Sequence, residues 1–560
     1  MQLFVKKHPV LLFYIFFSYF SIVTQSLIYF FQMSGSTSLR DAILMSVIWL
    51  IPCLLLPKNS KFIAAILGLI LWLSSLISLG YFLIYGQDFS QSAIFIIFES
   101  NTAEGGEFIR SYLRWWHICI FLIYSVIPIV IWKNIPTMSA TPFSNYVYTA
   151  CFIVIICWPF FSTLIKTQNF KIASNHLMAR LEPATPWNII VGYLKYREQL
   201  SAMTILLGSN SKLPPVGNLT KDKDLLPDTL VLVIGESTNR QRMSLYGYPR
   251  ETSPQLTKLL EELTIFNHAI SPRPYTIEAL QQILSIADQK NPERFFSQPT
   301  LLNILSQAGF ETTWITNHQT QTRRNTMLTV LSQTADHHVY LNNNRRQNAA
   351  QFDEVVLEPF SEALKITGPH KLIVVHLLGT HRKYDFRYPK TYEKFTNRDG
   401  VPEWIKDSNL EEYNSYDNAI LYNDYIVASL IARLKEKNDK ALFIYLSDHG
   451  EEVFDYNQKP FCGRNENSPS QAMYTVPFIT WMSKTLRVAH KKSWNDYSER
   501  FFSTSDFFHT LPDMIGINFD GMDKTRSLVS KNFVRHTRWI GNPRYPKNLK
   551  DYDAANTFLD

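Results

Sequence analysis

The sequence has 560 residues and a formal net charge of +7, a length that allows two to four domains. Charge is uneven along it, with 13 charged side chains in residues 1–165 and 90 in residues 166–560. Lys/Arg blocks of the kind that bind nucleic acid are absent, which excludes that class of partner. The five cysteines form no CxxC pair, which excludes a cysteine-built zinc site, and Cys462 alone lies in the charged part.

The charge-poor part contains five apolar stretches, which predict five transmembrane helices. These are residues 9–31, 42–56, 62–85, 118–132 and 146–165. A helix needs roughly 20 residues to cross the hydrocarbon core, so the second and fourth stretches must recruit their flanks. The first stretch is too long for a cleaved signal peptide and lacks a small-residue cleavage site.

Positively charged residues in the short loops predict the orientation of the chain in the membrane. Five lysines lie at the N-terminus and in the second and fourth loops, and three arginines lie in the other loops. The lysines are Lys6, Lys7, Lys58, Lys61 and Lys133; the arginines are Arg40, Arg110 and Arg114. Positive charge favours the cytoplasmic side, so the N-terminus is expected in the cytoplasm. With an odd number of spans, everything after residue 165 is then delivered to the outer side.

The loop between the third and fourth stretches contains an apolar run, residues 93–98, that is too short to span. Such a run predicts a segment near 89–115 that lies in the membrane interface. It is followed by Glu99, Asn101 and Glu104, polar side chains that would meet a lipid ammonium group at headgroup depth. An ordinary polar loop is the alternative.

Residues 166–227 read as juxtamembrane helices interrupted by Pro183 and Pro186, followed by a linker rich in Pro, Gly, Asn and Lys. From 228 to 560, short buried runs alternate with helical patterns. The clearest runs are 229–234, 312–316, 372–377, 441–446 and 476–481. This alternation predicts an α/β domain around a largely parallel sheet.

Ligands of such sheets bind beyond the carboxyl ends of the strands, so the residues that end each run are the candidate site. Glu236, Asp448 and His449 follow two of the runs, and carboxylates with imidazole suit Zn²⁺ or Mn²⁺. A cation held in this way activates a hydroxyl toward phosphorus. The residues alone do not decide which hydroxyl is activated, and four are possible: Ser237, Thr238, Thr276 and Thr380. Asp336-His337 lacks a preceding buried run and is interpreted as surface.

Three motifs resemble the bacterial phosphoethanolamine transferases: VLVIGESTNR at 231–240, MSLYGYPRETSP at 243–254 and LSDHGEE at 446–452. The resemblance covers nearly the whole chain. Within that family the chain is most similar to the CptA type, which modifies heptose of the lipopolysaccharide core. That likeness is carried by YGQDFSQ at 85–91, SPRPYTIE at 271–278, WITN at 314–317, NTMLTV at 325–330, VHLLGTH at 375–381, GRNE at 463–466 and RWIGNP at 538–543.

The resemblance implies five membrane helices joined to a periplasmic domain of the alkaline phosphatase/sulfatase fold. It also implies that Thr276 is the nucleophile and that Glu236, Thr276, Asp448 and His449 hold Zn²⁺, with Mn²⁺ as the alternative. His381 falls where the family places a histidine near the substrate phosphate or a second metal, and Asn317 and Arg323 fall near a phosphate-contact region of the family. The implied partners are phosphatidylethanolamine as donor, lipopolysaccharide as acceptor and inner-membrane lipids around a monomer.

The chain departs from the lipid A-modifying branch of that family. It has no cysteines beside the nucleophile, and Cys462-Gly463 stand where that branch has a second substrate-side histidine. Arg464 is a candidate to supply the missing positive charge. The rival enzyme is a glycerol-phosphate transferase of the lipoteichoic acid synthase type, and lipid A or periplasmic glucan are rival acceptors. A sulfatase is disfavoured because no CxPxR-type motif is present, and a catalytically dead membrane-anchored scaffold is the rival outside enzymes.

Overall fold

The computed structural model describes residues 8–30, 36–85, 89, 114–138, 142–210, 215–319, 331–342, 352–437, 440–458, 460–466, 468–491, 493–543, 545–555 and 557–558. Its internal contacts divide the chain into two compact units, Met1–Leu200 and Ser201–Asp560. The three-part division at residues 165 and 227 stays a prediction.

The first unit is entirely helical where it is described. Its helices, together with the one that leads out of it, are α1 (Pro9–Phe30), α2 (Ser36–Met45), α3 (Leu50–Leu55), α4 (Ser60–Tyr85), α5 (Trp115–Asn134), α6 (Pro142–Thr167), α7 (Phe170–Leu181) and α8 (Trp187–Asn210). A short 3₁₀ turn, Ser46–Trp49, joins α2 to α3. In this part of the chain, five helical segments are long and apolar enough to cross a membrane: Pro9–Phe30, Ser36–Leu55, Pro57–Leu83, Trp115–Asn134 and Phe143–Thr167. The prediction of five spans is confirmed, and the two short stretches do recruit their flanks.

Aromatic side chains of α1 form the centre of this helical unit. Phe13, Phe16, Phe17 and Phe20 are each at most 3 % exposed, and Phe16 meets Phe20 edge to face at 5.6 Å. The later helices instead expose apolar side chains; Leu122 is 62 % exposed. A helix apolar on its outer side is stable only where lipid replaces water, as expected of a membrane span.

The second unit is built around a seven-stranded sheet of order β3-β11-β8-β2-β7-β5-β6. Its strands are β2 (Thr229–Gly235), β3 (Leu263–Ile265), β5 (Glu311–Gln319), β6 (His337–Asn342), β7 (Lys371–His376), β8 (Ala441–Ser447) and β11 (Phe478–Met482). The five strands from β8 to β6 are parallel, and β11 is antiparallel to both its neighbours. The predicted largely parallel sheet is confirmed, and each of the five predicted runs lies wholly or mostly within one of its strands.

The remaining strands are short pairs at the periphery: β1 (Thr220–Lys221) with β13 (Ile517–Asn518), β4 (His268–Ile270) with β12 (Phe501–Ser503), β9 (Glu452–Val453) with β10 (Cys462–Gly463) and β14 (Trp539–Ile540) with β15 (Lys550–Asp551). The helices of this unit are α9 (Pro254–Thr257), α10 (Thr276–Ile283), α11 (Leu301–Gln307), α12 (Leu357–Leu364), α13 (Asp407–Lys437), α14 (Lys484–Ala489) and α15 (Phe507–Met514).

The central strands are buried on both faces, which explains why they read as continuous apolar runs rather than as alternating ones. Val231 and Val233 pack in one core with α12 and α13, and Leu230 and Leu232, which point to the opposite face, are at most 1 % exposed. Hydrophobic burial therefore fixes the register of the central strands, and with it the position of the loops at their carboxyl ends.

Candidate active site

The loop that leaves β2 points Glu236 into the cleft. Ser237 adopts a left-handed backbone with φ of 59°, an arrangement that a non-glycine residue keeps only when its surroundings hold it. Its N–H donates to Asp448 Oδ1 at 3.0 Å, and its carbonyl accepts from the Tyr416 hydroxyl at 2.7 Å. Gly379 packs so closely on this loop that a Cβ there would lie 2.8 Å from the Glu236 backbone nitrogen and oxygen. The Glu236 side chain is fully buried as a result.

The loop that leaves the adjacent strand β8 contributes Asp448 and His449, both fully buried. His449 Nδ1 lies 2.8 Å from the Gly450 carbonyl, which places a proton on Nδ1, and Nε2 faces the Glu236 and Asp448 carboxylates. Asp448 Oδ1 accepts two backbone N–H groups, whereas Oδ2 has no hydrogen-bond partner among the described residues. A buried carboxylate oxygen without a donor is an expected ligand of a cation.

Thr276 begins α10, and its hydroxyl meets this cluster. Its Oγ1 donates to Glu236 Oε2 at 2.9 Å and lies 3.3 Å from His449 Nε2. The N-terminus of a helix carries unpaired N–H groups and a partial positive charge, so it favours an anionic group bound there. Thr276 is also partly open to solvent, whereas Ser237, Thr238 and Thr380 are at most 1 % exposed. Of the four candidate hydroxyl residues, Thr276 is therefore the only one that is partly open to solvent.

The donor set fits a tetrahedral zinc ion. Bonds of 2.0–2.1 Å in a tetrahedron place neighbouring ligand atoms about 3.3 Å apart. His449 Nε2 lies 3.3 Å from Glu236 Oε1, from Asp448 Oδ2 and from Thr276 Oγ1. Glu236, Asp448 and His449 form one of the two groups in the described chain that offer three ligand atoms within 4.8 Å of one another.

The electrostatics of the cluster also favour a cation. Burial would raise the pKa of Glu236, but the positive charge of His449 holds the pKa of this carboxyl well below its usual range. Burial and then the neighbouring Glu236 carboxylate raise the pKa of Asp448 to about 7. Two carboxylates this close do not both ionise readily unless a positive charge lies between them. A divalent ion would supply that charge.

Arg464 brings a further positive charge to the rim of the cluster. Its Nη1 lies 2.7 Å from His449 Nε2 and 3.9 Å from Glu236 Oε1, and its Nε lies 3.2 Å from Glu451 Oε2. The Arg464 side chain remains 21 % exposed, so part of the guanidinium faces the open side of the site. A planar guanidinium in this position suits an incoming phosphoryl group.

The ends of β7 and β5 complete this edge of the sheet. His381 is half-buried, and desolvation of its imidazole lowers its pKa to about 3, so the imidazole is neutral. Asn317 is also buried, and its amide donates to the Asp353 carboxylate at 2.8 Å. Asp353 in turn accepts from the backbone N–H groups of Leu378 and Gly379 at 2.9 and 2.7 Å. Asn317 and Asp353 thus tie the end of β5 to the loop that carries His381.

The structure brings together Glu236, Thr276, Asp448, His449 and Arg464 from separate parts of the sequence. The other predicted contacts, Arg323, Glu99, Asn101 and Glu104, lie outside the described residues, as does nearly all of the predicted interfacial segment. Asp336 and His337 are exposed, and His337 pairs with Glu311 at 2.8 Å.

Sequence reasoning missed three buried residues at this edge: Asp353, His318 and His376. The two histidines had a usable signal, because His318 follows one predicted run closely and His376 lies at the end of another. Asp353 had none, because it contacts the site only through the fold.

Comparison with known proteins identifies the family of the chain. Residues 228–517 match the family model described as Sulfatase. Phosphoethanolamine transferase EptC of Escherichia coli (strain K12) is 46 % identical over 547 residues, covering 96 % of this chain and 95 % of that protein. Phosphoethanolamine transferase CptA of Salmonella typhimurium has the same identity and coverage.

Two solved structures are similar to this chain. The C-terminal periplasmic domain of EptC from Escherichia coli in complex with Zn is 50 % identical, with a TM-score of 0.60, and covers 61 % of this chain and 97 % of that one. The integral membrane protein lipooligosaccharide phosphoethanolamine transferase A from Neisseria meningitidis has a TM-score of 0.62 at 18 % identity, covering 93 % and 98 %, and shares the fold. The chain thus joins membrane helices to a sulfatase-like α/β unit, and it belongs to the phosphoethanolamine transferase family.

Proposed function

We propose that the chain transfers phosphoethanolamine from phosphatidylethanolamine to lipopolysaccharide, with core heptose as the acceptor, through a covalent intermediate on Thr276. The observation that carries the proposal is the Thr276 hydroxyl, which is open to solvent and contacts Glu236 and His449 at 2.9 and 3.3 Å. A zinc ion held by Glu236, Thr276, Asp448 and His449, with Mn²⁺ as the alternative, supplies Lewis acidity at this hydroxyl and at the phosphoryl oxygens.

The first step forms a bond between Thr276 Oγ1 and the phosphorus of the donor lipid. The bond from phosphorus to the glycerol oxygen breaks, and diacylglycerol leaves with a proton. The hydroxyl proton of Thr276 is directed at Glu236 Oε2, its acceptor at 2.9 Å. Arg464 and the N-terminus of α10 stabilise charge on the phosphoryl oxygens.

In the second step an acceptor hydroxyl attacks the same phosphorus from the side that diacylglycerol vacated. The bond from phosphorus to Oγ1 breaks, the acceptor loses its proton and the Thr276 hydroxyl is restored. A covalent relay suits a single site that two bulky lipids visit in turn. His381 and Asn317 lie at the carboxyl edge of the sheet. Together with Arg323, they are the proposed phosphate contacts.

In this proposal the membrane part of the chain also contributes to the transfer reaction. An odd number of spans with lysines on one side places the N-terminus in the cytoplasm and the catalytic unit in the periplasm. Glu99, Asn101 and Glu104 would receive the ammonium group of the donor lipid at the headgroup plane. The protein acts as a monomer in the inner membrane.

Thr276→Ala is expected to abolish formation of the covalent adduct, because alanine has no oxygen to attack phosphorus. Full-length protein incubated with phosphatidylethanolamine vesicles and analysed by intact mass spectrometry should gain one phosphoethanolamine group in the wild type and none in the variant. Thr391→Ala, at an exposed threonine of the same unit, is the matched control. An adduct that persists in Thr276→Ala would place the nucleophile elsewhere, and a glycerol-phosphate adduct, which has no amine, would favour the lipoteichoic acid synthase type.

The acceptor is tested in cells. Loss of the gene is expected to remove phosphoethanolamine from the lipopolysaccharide core, as measured by mass spectrometry of separated core and lipid A fractions. Loss from lipid A or from periplasmic glucan would instead name one of those as the acceptor.

A further inference from the structure

Two of the sequence motifs, each of which contains a residue of the candidate site, meet at one buried ion pair. Arg273 belongs to SPRPYTIE at 271–278, and Glu466 belongs to GRNE at 463–466. Arg273 Nε donates to Glu466 Oε1 at 2.7 Å, and its Nη2 donates to Glu466 Oε2 at 3.3 Å. The two side chains are 4 % and 10 % exposed. Paired hydrogen bonds between a guanidinium and a carboxylate fix both the distance and the relative orientation of the two groups.

This ion pair joins the segment that carries the proposed nucleophile to the segment that carries the proposed phosphoryl contact. Thr276 follows Arg273 by three residues, and Arg464 precedes Glu466 by two. Three residues of extended chain span at most about 11 Å, so a shift of the backbone at Arg273 reaches Thr276 over a short path. The same holds for Glu466 and Arg464 over a still shorter path.

The segment around Arg273 is also held by hydrogen bonds that do not involve the guanidinium. The Ser271 hydroxyl donates to the Arg273 carbonyl at 2.8 Å. The buried Gln289 amide donates to the carbonyls of Pro272 and Gly541 at 2.8 and 2.7 Å. The main chain of the segment therefore keeps these supports when the Arg273 side chain is shortened. What such a change removes is the connection to the segment of Glu466.

Stability alone is a weak reason for a buried ion pair. Removing two charges from water costs about as much free energy as their attraction returns, and well-packed apolar side chains often replace such a pair without loss of stability. An apolar contact between the same segments would, however, allow several arrangements, whereas the fork of Arg273 meets the Glu466 carboxylate in a defined one. Geometry is therefore what this pair supplies to the site beside it.

We propose that Arg273 and Glu466 are positioning residues for the transfer reaction. Their ion pair sets the separation between Thr276 Oγ1 and the Arg464 guanidinium, and with it the fit of both groups to one phosphoryl group. The inference rests on the proposed function, since it takes Thr276 as the nucleophile and Arg464 as a phosphoryl contact. A displacement of about 1 Å at a reacting group can lower a rate about 10²-fold without removal of any group that touches the substrate.

Steady-state transfer from phosphatidylethanolamine vesicles by the full-length protein tests the proposal. Arg273→Gln and Glu466→Gln are each expected to lower kcat about 10²-fold and to leave KM nearly unchanged, because the loss falls on the transition state. The double variant is expected to be no slower than the slower single variant, since the two residues act as one unit. Zinc content, measured by plasma mass spectrometry, is expected to stay at the wild-type value. Wild-type kcat in either single variant, or loss of zinc, would overturn the proposal.

Arg250→Gln is the matched control. Arg250 is also a buried arginine, and it pairs with Asp417 at 2.8 Å in another part of the same unit. The variant is expected to lose stability in chemical denaturation and to keep the wild-type kcat. A fall in kcat equal to that of Arg273→Gln would mean that loss of any buried ion pair slows the enzyme, which contradicts a positioning role.

A second background tests whether the pair acts through Arg464. In Arg464→Gln, the further change Arg273→Gln is expected to have little additional effect on kcat, because the group that the pair positions is already gone. A further fall of about 10²-fold would show that Arg273 acts independently of Arg464 and would overturn the proposal.

The covalent adduct separates failure of this inference from failure of the proposed function. No adduct on wild-type Thr276 would contradict the proposed function itself, whereas a wild-type adduct together with full-rate transfer by Arg273→Gln would contradict only the positioning role. Should Arg273→Gln fail to fold, judged by circular dichroism, Arg273→Lys takes its place, since it keeps the charge and loses the planar fork. It is expected to show a smaller fall in kcat at unchanged zinc content, and wild-type kcat in this variant would overturn the proposal.

Discussion

At the scale of the residue, we propose from the position of Arg464 that it contacts the phosphoryl group rather than the metal. Its guanidinium lies 2.7 Å from His449 Nε2 and is partly exposed on the open side of the cluster. Removing one preorganised donor to a developing charge costs roughly 10²–10³-fold in kcat. Arg464→Gln is therefore expected to lower the rate of transfer by that order and to leave zinc content unchanged.

Steady-state transfer to an acceptor lipid, measured alongside metal content, checks this expectation. Arg464→Lys should recover part of the rate, since it restores the charge without the planar fork. Arg433→Gln is the control, because Arg433 donates to Ser361 away from the cluster. Loss of zinc in Arg464→Gln would show that the arginine maintains the metal site instead.

The candidate residues differ in how far the sequence alone could place them. Asp448 and His449 end a buried run, so their position in a cleft follows from local pattern. Thr276 follows none of the five predicted runs, and only its place at the start of α10, packed against another loop, distinguishes it from Ser237, Thr238 and Thr380. Local pattern does not contain that distinction, because it depends on which loops the fold brings together.

At the scale of the element, the loop after β8 depends on close backbone packing at Gly450. A Cβ at this position would lie 2.1 Å from the Ala472 carbonyl oxygen and 2.8 Å from that of Thr475. Neither backbone oxygen can move aside as a side chain would, so Gly450→Ala must displace the loop that holds Asp448 and His449. Overpacking of this kind costs about 1–3 kcal/mol.

Gly450→Ala is expected to lower both zinc affinity and the free energy of unfolding, measured by metal titration and by chemical denaturation. Gly368→Ala is the control, because a Cβ there meets only the end of the flexible Glu311 side chain, at 3.2 Å. Unchanged zinc affinity in Gly450→Ala would mean that the loop tolerates the displacement.

The strands themselves were predictable because burial on both faces leaves a continuous apolar run in the sequence. The order of the strands in the sheet was not predictable, because a run such as 229–234 carries no information about which strands lie beside it. The sheet places β7 beside β2 and β5 beyond β7, and this order brings His376 and His318 close to Glu236. The role of a histidine at a strand end can therefore be predicted only once the neighbouring strands are known.

At the scale of the whole molecule, the break in charge density near residue 166 predicts two environments, and the structure has an apolar helical unit and an α/β unit to match. Anchoring an enzyme in the membrane that contains its donor confines the search for that lipid to two dimensions. The proposed catalytic residues Glu236, Thr276, Asp448 and His449 all lie in the second unit, since they follow Ser201 in the chain.

The contributions of the two units separate when the chain is cut in the predicted linker, between α8 and β1. A cleaved preparation, made with a protease site inserted there, is expected to keep its zinc and its rate of hydrolysis of a small soluble phosphodiester, because the cluster and Thr276 remain together. Its rate of phosphoethanolamine transfer from phosphatidylethanolamine vesicles should fall by at least an order of magnitude, since the effective concentration of a tethered partner is lost. Uncleaved protein with the same insertion is the control. If transfer from vesicles continued at the uncut rate, the α/β unit would have to bind the lipid surface by itself, and the membrane helices would have no part in delivering the donor.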